Sequence, residues 1–324
     1  MCVVEHADRH KGLGVACAEM LEQLELGNAF QNGASVTIKP NFTYPWYKPG
    51  VTTSPNVLSA LVSALRDWRA KVTIVESDGG SHAWRAEEAF AGHGVPEMCQ
   101  RYSAKAINLS REERVAVATT VAGREISVEL PRCLLEETSF FITVPVPKLH
   151  AMTRVSLGFK NQWGCIPDVK RLRHHPEFAH MVIAVNRLVR TRLAFFDGTY
   201  FLDRNGPMEG DPVHCNLLIA GDVGLASRVV CELMGVDPML VAHKRLAISE
   251  GLMPSEVHPE QLNVPIEPLC RKFHLKRSFL DWIALGVFHS RLATRLFYDS
   301  EFAGPLHELL YWFRGRPKDF QPNW

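Results

Sequence analysis

The spacing of apolar positions changes repeatedly along this chain, and each change marks out an element. Ala34-Ser35-Val36-Thr37-Ile38-Lys39-Pro40 predicts a buried strand ended by proline. Ser54-Pro55 then supplies an N-cap and a proline for the first helical turn. Val57, Leu58, Leu61, Val62 and Leu65 recur at helical spacing, which predicts an amphipathic helix over 55–68. Lys71-Val72-Thr73-Ile74-Val75-Glu76 is the next strand. Strand, helix and strand with short joints form a βαβ unit and hence a parallel sheet. Further strands are expected at 114–121 and 125–130, paired as a hairpin through Ala122-Gly123, and at 140–145, 193–196 and 216–220. Helices are expected near 150–161, 177–190 and 223–234. The alternation predicts an α/β fold: a mostly parallel sheet with flanking helices, antiparallel additions and a helical C-terminal segment.

The pattern changes character after Pro265, so the reading divides the chain into an α/β domain over 1–264 and a basic, aromatic-rich helical segment over 265–324. Between 271 and 318 there are nine Lys/Arg against four Asp/Glu. Phe288, Leu292 and Leu296 fall at helical spacing, and the expectation is an apolar stripe over 279–298 buried against this chain or a second copy, with Arg291 and Arg295 outside. The sharper alternative is peripheral membrane contact through 271–316. The longest uncharged apolar run there, 282–290 between Asp281 and Arg291, is far short of the roughly 20 residues that span a bilayer.

Composition removes several classes of function. Of 324 residues, 46% are hydrophobic and 22% charged, as in ordinary globular proteins. A net charge of +1, without a nucleic-acid-binding signature, argues against nucleic-acid partners. The first eight residues carry acid where a secretory leader has an apolar run, and the eight cysteines are scattered without C-x-x-C spacing. A reduced cytoplasm is the expected location, and no iron–sulfur cluster or structural zinc is expected.

Candidate chemistry gathers at strand ends, where open α/β folds bind ligands. The strand at 140–145 runs into Val146-Pro147-Lys148-Leu149-His150, and Gly158-Phe159-Lys160-Asn161-Gln162-Trp163-Gly164 follows. Lys148 and His150 share a strand face by alternation. Neighbouring lysines depress each other's basicity, and histidine titrates near neutrality, so Lys148, His150 and Lys160 are the catalytic candidates. Lys39, Asn41, Thr52, Thr53, Asn161 and Asp197 are the candidate substrate-binding set, through strand-end charges, amides and a helix N-terminus. For Lys39 an equally simple reading is an ion pair with Glu76 on the next strand. Glu76-Ser77-Asp78-Gly79-Gly80-Ser81-His82 is glycine-rich but not G-x-G-x-x-G, so no nucleotide cofactor is expected. His174, His175 and His180 lie in a basic stretch suited to an anion-binding lid, and no metal-ligand spacing is complete.

Jointly, Ile38-Lys39-Pro40-Asn41, Gly50-Val51-Thr52-Thr53-Ser54-Pro55, Val146-Pro147-Lys148-Leu149-His150, Gly158 to Gly164, Asp197-Gly198 and Gly206-Pro207-Met208-Glu209-Gly210 resemble the domain-of-unknown-function 362 (DUF362) family. Members often carry a ferredoxin-like extension, whose cysteines this chain lacks. The family commonly has an aspartate where Ser227 stands here, so an activity needing that carboxylate is not implied. The helix entry at Thr53 and the Gly79-Gly80-Ser81-His82 loop are faintly similar to nickel-pincer lactate racemase-like proteins, a similarity that transfers no cofactor.

These readings predict an enzyme acting on a small carboxylate- or phosphate-bearing metabolite by proton transfer, of isomerase, lyase or cyclase type. Two alternatives stand beside it. One is a metal-dependent enzyme using His82, His150 or His174 to His180. The other is a non-catalytic ligand-binding or accessory protein docked through its C-terminal helix.

Overall fold

Strand alternation fixes which side chains meet on each side of the central sheet. The computed structural model describes residues 1–8, 12–30, 33–80, 83–298, 300–301 and 305. Its strands are β1 (Cys2–His6), β2 (Ser35–Pro40), β3 (Lys71–Glu76), β4 (Lys105–Asn108), β5 (Arg114–Val121), β6 (Arg124–Pro131), β7 (Phe140–Val144), β8 (Lys148–His150), β9 (Arg154–Ser156), β10 (Thr191–Asp203) and β11 (Asp211–Asp222). The main path runs β1-β11-β10-β7-β2-β3-β4, with β8 and β9 attached beside β10. From β10 through β4 every neighbour is parallel, whereas β11 runs antiparallel to both β1 and β10. The fold is therefore α/β with a mostly parallel sheet, antiparallel additions and C-terminal helices, as the apolar pattern predicts.

Val36, Ile38, Phe140, Ile142, Leu193, Phe195, Leu218 and Ala220 point to one face, where the helices Leu13–Gln23 and Pro55–Asp67 pack. Phe141, Ala194, Phe196, Leu217 and Ile219 point to the other, under the helices Phe178–Leu188 and Val223–Leu233. Period two thus divides one sheet between two cores and makes a three-layer sandwich. β5 and β6 form a separate hairpin whose turn uses Ala122 and Gly123 at positive φ, 49° and 74°.

Two local expectations change. The 150–161 stretch is mostly strand and turn: β8 and β9 pair antiparallel, and only Gly158–Asn161 is helical. Period-two pairing of Lys148 with Ser156 prevails over the weak helical pattern.

The C-terminal helices Phe279–His289 and Arg291–Tyr298 carry the expected stripe only in part, with Arg291 and Arg295 exposed as expected. Phe288 is buried against Phe178 and His175, but Leu292 is 81% exposed and Leu296 46%. Within this chain, then, only part of the predicted stripe is covered. No helix among the described residues is long and apolar enough to cross a membrane.

Candidate active site

β2, β3 and β7 end together, and their C-terminal ends form the floor of a cavity of about 720 Å³. Its walls come from 39–48, 76–80, Trp84, 148–164, 171–178 and 205–209, and from the C-terminal helices through Asp281, Ala284, Phe288 and Tyr298. Lys39, Asn41, Lys148, His150, Lys160 and Asn161 all line it. Six of the nine candidates therefore converge where the strand ends place them.

Their surroundings give them different chemistry. Lys39 is 2% exposed and donates to Glu76 at 2.6 Å and to the Pro40 carbonyl at 2.8 Å. The simpler expectation for Lys39, an ion pair across adjacent strands, is the one observed. Glu76 also accepts from the backbone N–H of Ser77 and Phe42. Burial pushes its carboxyl upward, while Lys39 and the Ser77 N–H pull the other way. Gly164 lies directly against this pair. A Cβ there would come within 2.9 Å of the Glu76 carboxylate and 3.0 Å of Lys39 Cε, so a side chain at this position would displace the ion pair.

Lys148 donates to the Val51 carbonyl and, at 3.1 Å, to Asn41 Oδ1. An ammonium has three donors, so one tetrahedral position is left for the cavity. Burial first, then the Lys160 and Lys39 charges, hold its pKa well below the usual lysine value.

His150 departs from the expectation of titration near neutrality. Burial, then Lys160 and Lys148, depress its pKa well below the ordinary value, so the ring is neutral at physiological pH. Its Nδ1 accepts from the backbone N–H of Met152 at 3.1 Å and Thr153 at 3.4 Å. The ring proton therefore sits on Nε2, which makes His150 a hydrogen-bond donor rather than a base.

Lys160 is the least constrained of the set. Its ammonium has no hydrogen-bond acceptor among the described residues, and burial lowers its pKa to about 7.

Asn161 is a brace. Its amide donates to the carbonyls of Lys39 and Pro40 and to Thr143 Oγ1, clamping β2 to β7. Gln162 extends the clamp to Asn186 and Thr191, and Asn186 returns to the Phe159 carbonyl.

Thr52, Thr53 and Asp197 do not line the cavity. Thr53 Oγ1 accepts from Asn41 N–H and donates to the Val144 carbonyl. Thr52 Oγ1 accepts from Lys48 N–H. Asp197, only 3% exposed, accepts from Ser54 N–H at 2.7 Å. The anion expected at this helix N-terminus is thus the protein's own carboxylate, and the three residues hold the Pro55–Asp67 helix in place.

The histidines of the basic stretch divide similarly. His175 packs among Trp163, Phe178, Phe288 and Tyr298, and burial drives its pKa down to about 3. His82 lies outside the described residues. Among those described, no three His, Cys, Asp or Glu side chains converge as metal ligands would.

With this geometry in hand, comparison with known proteins places the chain. The sequence model for DUF362, a domain of unknown function, matches residues 36–231. The chain belongs to this family. The DUF362 region contains every candidate site residue, from Lys39 to Asp197. A thylakoid-associated protein of Synechocystis sp. is 24% identical over 256 residues, covering 74% of this chain and 77% of that protein. Among solved structures, the lactate racemase apoprotein of Thermoanaerobacterium thermosaccharolyticum aligns over 73% of this chain and 57% of its own, with a TM-score of 0.48 and 15% identity. A Thermotoga maritima protein aligns over 62% and 53%, with a TM-score of 0.41 and 15% identity. This chain spans little more than half the length of either solved structure.

Sequence reasoning missed part of the wall of the DUF362 cavity. Arg171 is buried and donates to the Asp78 carbonyl at 2.8 Å. In the sequence it is one of several basic residues, with Lys170 and Arg173, in the stretch read as an anion-binding lid, and nothing there marks it as the buried one. Behind the site, Lys244 is fully buried 4.9 Å over the Phe159 ring, without a hydrogen-bond partner, and its pKa falls to about 8. Its signal was a lysine on the buried face of the helix Ala242–Ser249.

Proposed function

We propose that this DUF362 protein is a cytoplasmic enzyme that moves a proton on a small carboxylate- or phosphate-bearing metabolite. The observation that carries this reading is Lys160, a lysine brought to about pKa 7, free of fixed acceptors, on a cavity that also holds Lys148 and His150. Near neutral pH such an amine is close to half protonated. It can take a proton from a substrate and return one without large pH-dependent cost.

Lys148 has one donor position left for an anionic group, and His150 Nε2–H supplies a neutral donor to an oxygen on which charge develops. Lys39 is committed to Glu76 and Asn161 to the strand ends, so both act by holding the floor rigid. Of the three catalytic candidates, Lys160 takes the proton-moving role. The free thiols of all eight cysteines fit a reducing compartment.

The test is calorimetric titration with oxalate, sulfate and inorganic phosphate against Lys148→Met and Lys160→Met. Loss of a charge-assisted contact lowers affinity by roughly one to two orders of magnitude. Both variants should fold, since methionine keeps most of the volume. If both bind these anions as tightly as the wild type, the anion-pocket reading fails.

A further inference from the structure

The helix Phe279–His289 is apolar on both sides. Asp281, Leu285 and Phe288 recur at i, i+4 and i+7 and face the protein. Phe279, Trp282, Ile283 and Gly286, at i, i+3, i+4 and i+7, face outward. Phe279 is 78% exposed, Trp282 58% and Ile283 50%. In the helix Arg291–Tyr298 the inward residue is the buried Thr294, while Leu292, Arg295 and Leu296 face out. A helix apolar all round belongs in contact on all sides. Six of the twelve large apolar side chains that the described structure exposes fall in these two helices. Clustering of this kind marks a contact surface.

Charge selects the occupant. Residues 271–298 contain six Lys/Arg and one Asp/Glu, in a chain of net charge +1. The single acid, Asp281, is buried, accepts from the backbone N–H and hydroxyl of Ser278 and lies within electrostatic reach of Arg277, which leaves one acid against six basic residues in this segment. Arg291 is partly balanced by Glu177 at 2.6 Å, and among the described residues Arg271, Lys272, Lys276 and Arg295 form no ion pair. The Arg277 guanidinium stacks 5.2 Å over the exposed Trp282 ring. A second copy placed face to face would bring like charge against like. An anionic lipid surface satisfies both features, taking up the apolar side chains while its headgroups meet the basic fringe.

We propose that the outward face of these two helices docks the protein on an anionic membrane surface. Neither helix is long enough to cross, so both lie in the plane of the interface. The apolar side chains enter the headgroup boundary, and each basic side chain near the surface strengthens attachment by about fivefold.

The full chain is sedimented with phosphatidylcholine vesicles, with and without phosphatidylserine. The wild type should co-sediment only with the anionic vesicles, and added salt should release it. Phe279→Ser combined with Trp282→Ser should lower partitioning by about two orders of magnitude. Both positions are exposed, so melting temperature should not fall. Fluorescence quenching by brominated lipid should be reduced by Trp282→Phe. The proposal is overturned if the wild type does not bind anionic vesicles, or if the double variant binds as well as the wild type. It is equally overturned if light scattering shows a dimer that the double variant disperses.

Discussion

Anion binding by this cavity should weaken as pH rises through 7, and Lys160 sets the magnitude. With a pKa of about 7, Lys160 is about 90% protonated at pH 6 and about 10% at pH 8. A bound anion interacts favourably only with the ammonium form, so affinity follows that fraction. It should fall about tenfold across the two units, which is about 1.4 kcal/mol. Burial also lowers the Lys148 pKa, so this lysine acts in the same direction. Oxalate and sulfate are suitable probes because their charge is constant over this range, whereas phosphate titrates within it. Calorimetry in buffers of different ionisation enthalpy should show proton uptake on binding. Lys160→Met should abolish the Lys160 part of the pH dependence. A wild-type affinity for oxalate that is flat between pH 6 and 8 would refute the assignment of Lys160 as the titrating group.

Glu76→Gln should leave Lys39 buried and unpaired at the cavity floor, costing about 3–5 kcal/mol in chemical denaturation. Phe288→Ala removes the buried anchor of the C-terminal helices beside His175 and Phe178, and should cost about 3–5 kcal/mol on the same measurement. Lys160 also predicts a stability trend, because its folded pKa lies below the unfolded value of about 10.4. Between about pH 7 and 10 the unfolded chain holds the extra proton, so wild-type stability should rise with pH relative to Lys160→Met, by at most about 1.4 kcal/mol per unit. A constant difference between the two proteins across that range would contradict it.

The sheet was legible because β2, β3 and β7 announce themselves by apolar runs bounded by proline or charge. The same runs showed that Lys39, Lys148 and His150 would arrive at one edge. Periodicity cannot show which charges cancel once there. Lys39 belongs to Glu76 because β2 and β3 are adjacent in register, which is a property of pairing rather than of either segment. Asp197 was expected to bind substrate, yet it caps the Ser54 backbone, since β10 brings a strand 143 positions away to that helix. His150 was read from its solution pKa, whereas burial among lysines decides its state. For 279–298 the outcome is mixed: Phe288 is buried and Arg291 and Arg295 are exposed as expected, but where both sides of a helix are apolar, spacing does not say whether Leu292 and Leu296 face this chain.

The helix Phe279–His289 belongs to two surfaces at once. Ala284 and Phe288 line the cavity, while Phe279 and Ile283 of the same helix face outward. Should filling the cavity shift this helix, occupancy of one surface would be coupled to occupancy of the other, and such coupling is reciprocal. Whatever factor a bilayer contributes to holding an anion in the cavity, the anion contributes to holding the protein on the bilayer. The partition of this protein between membrane and solution would then report the filling of its cavity.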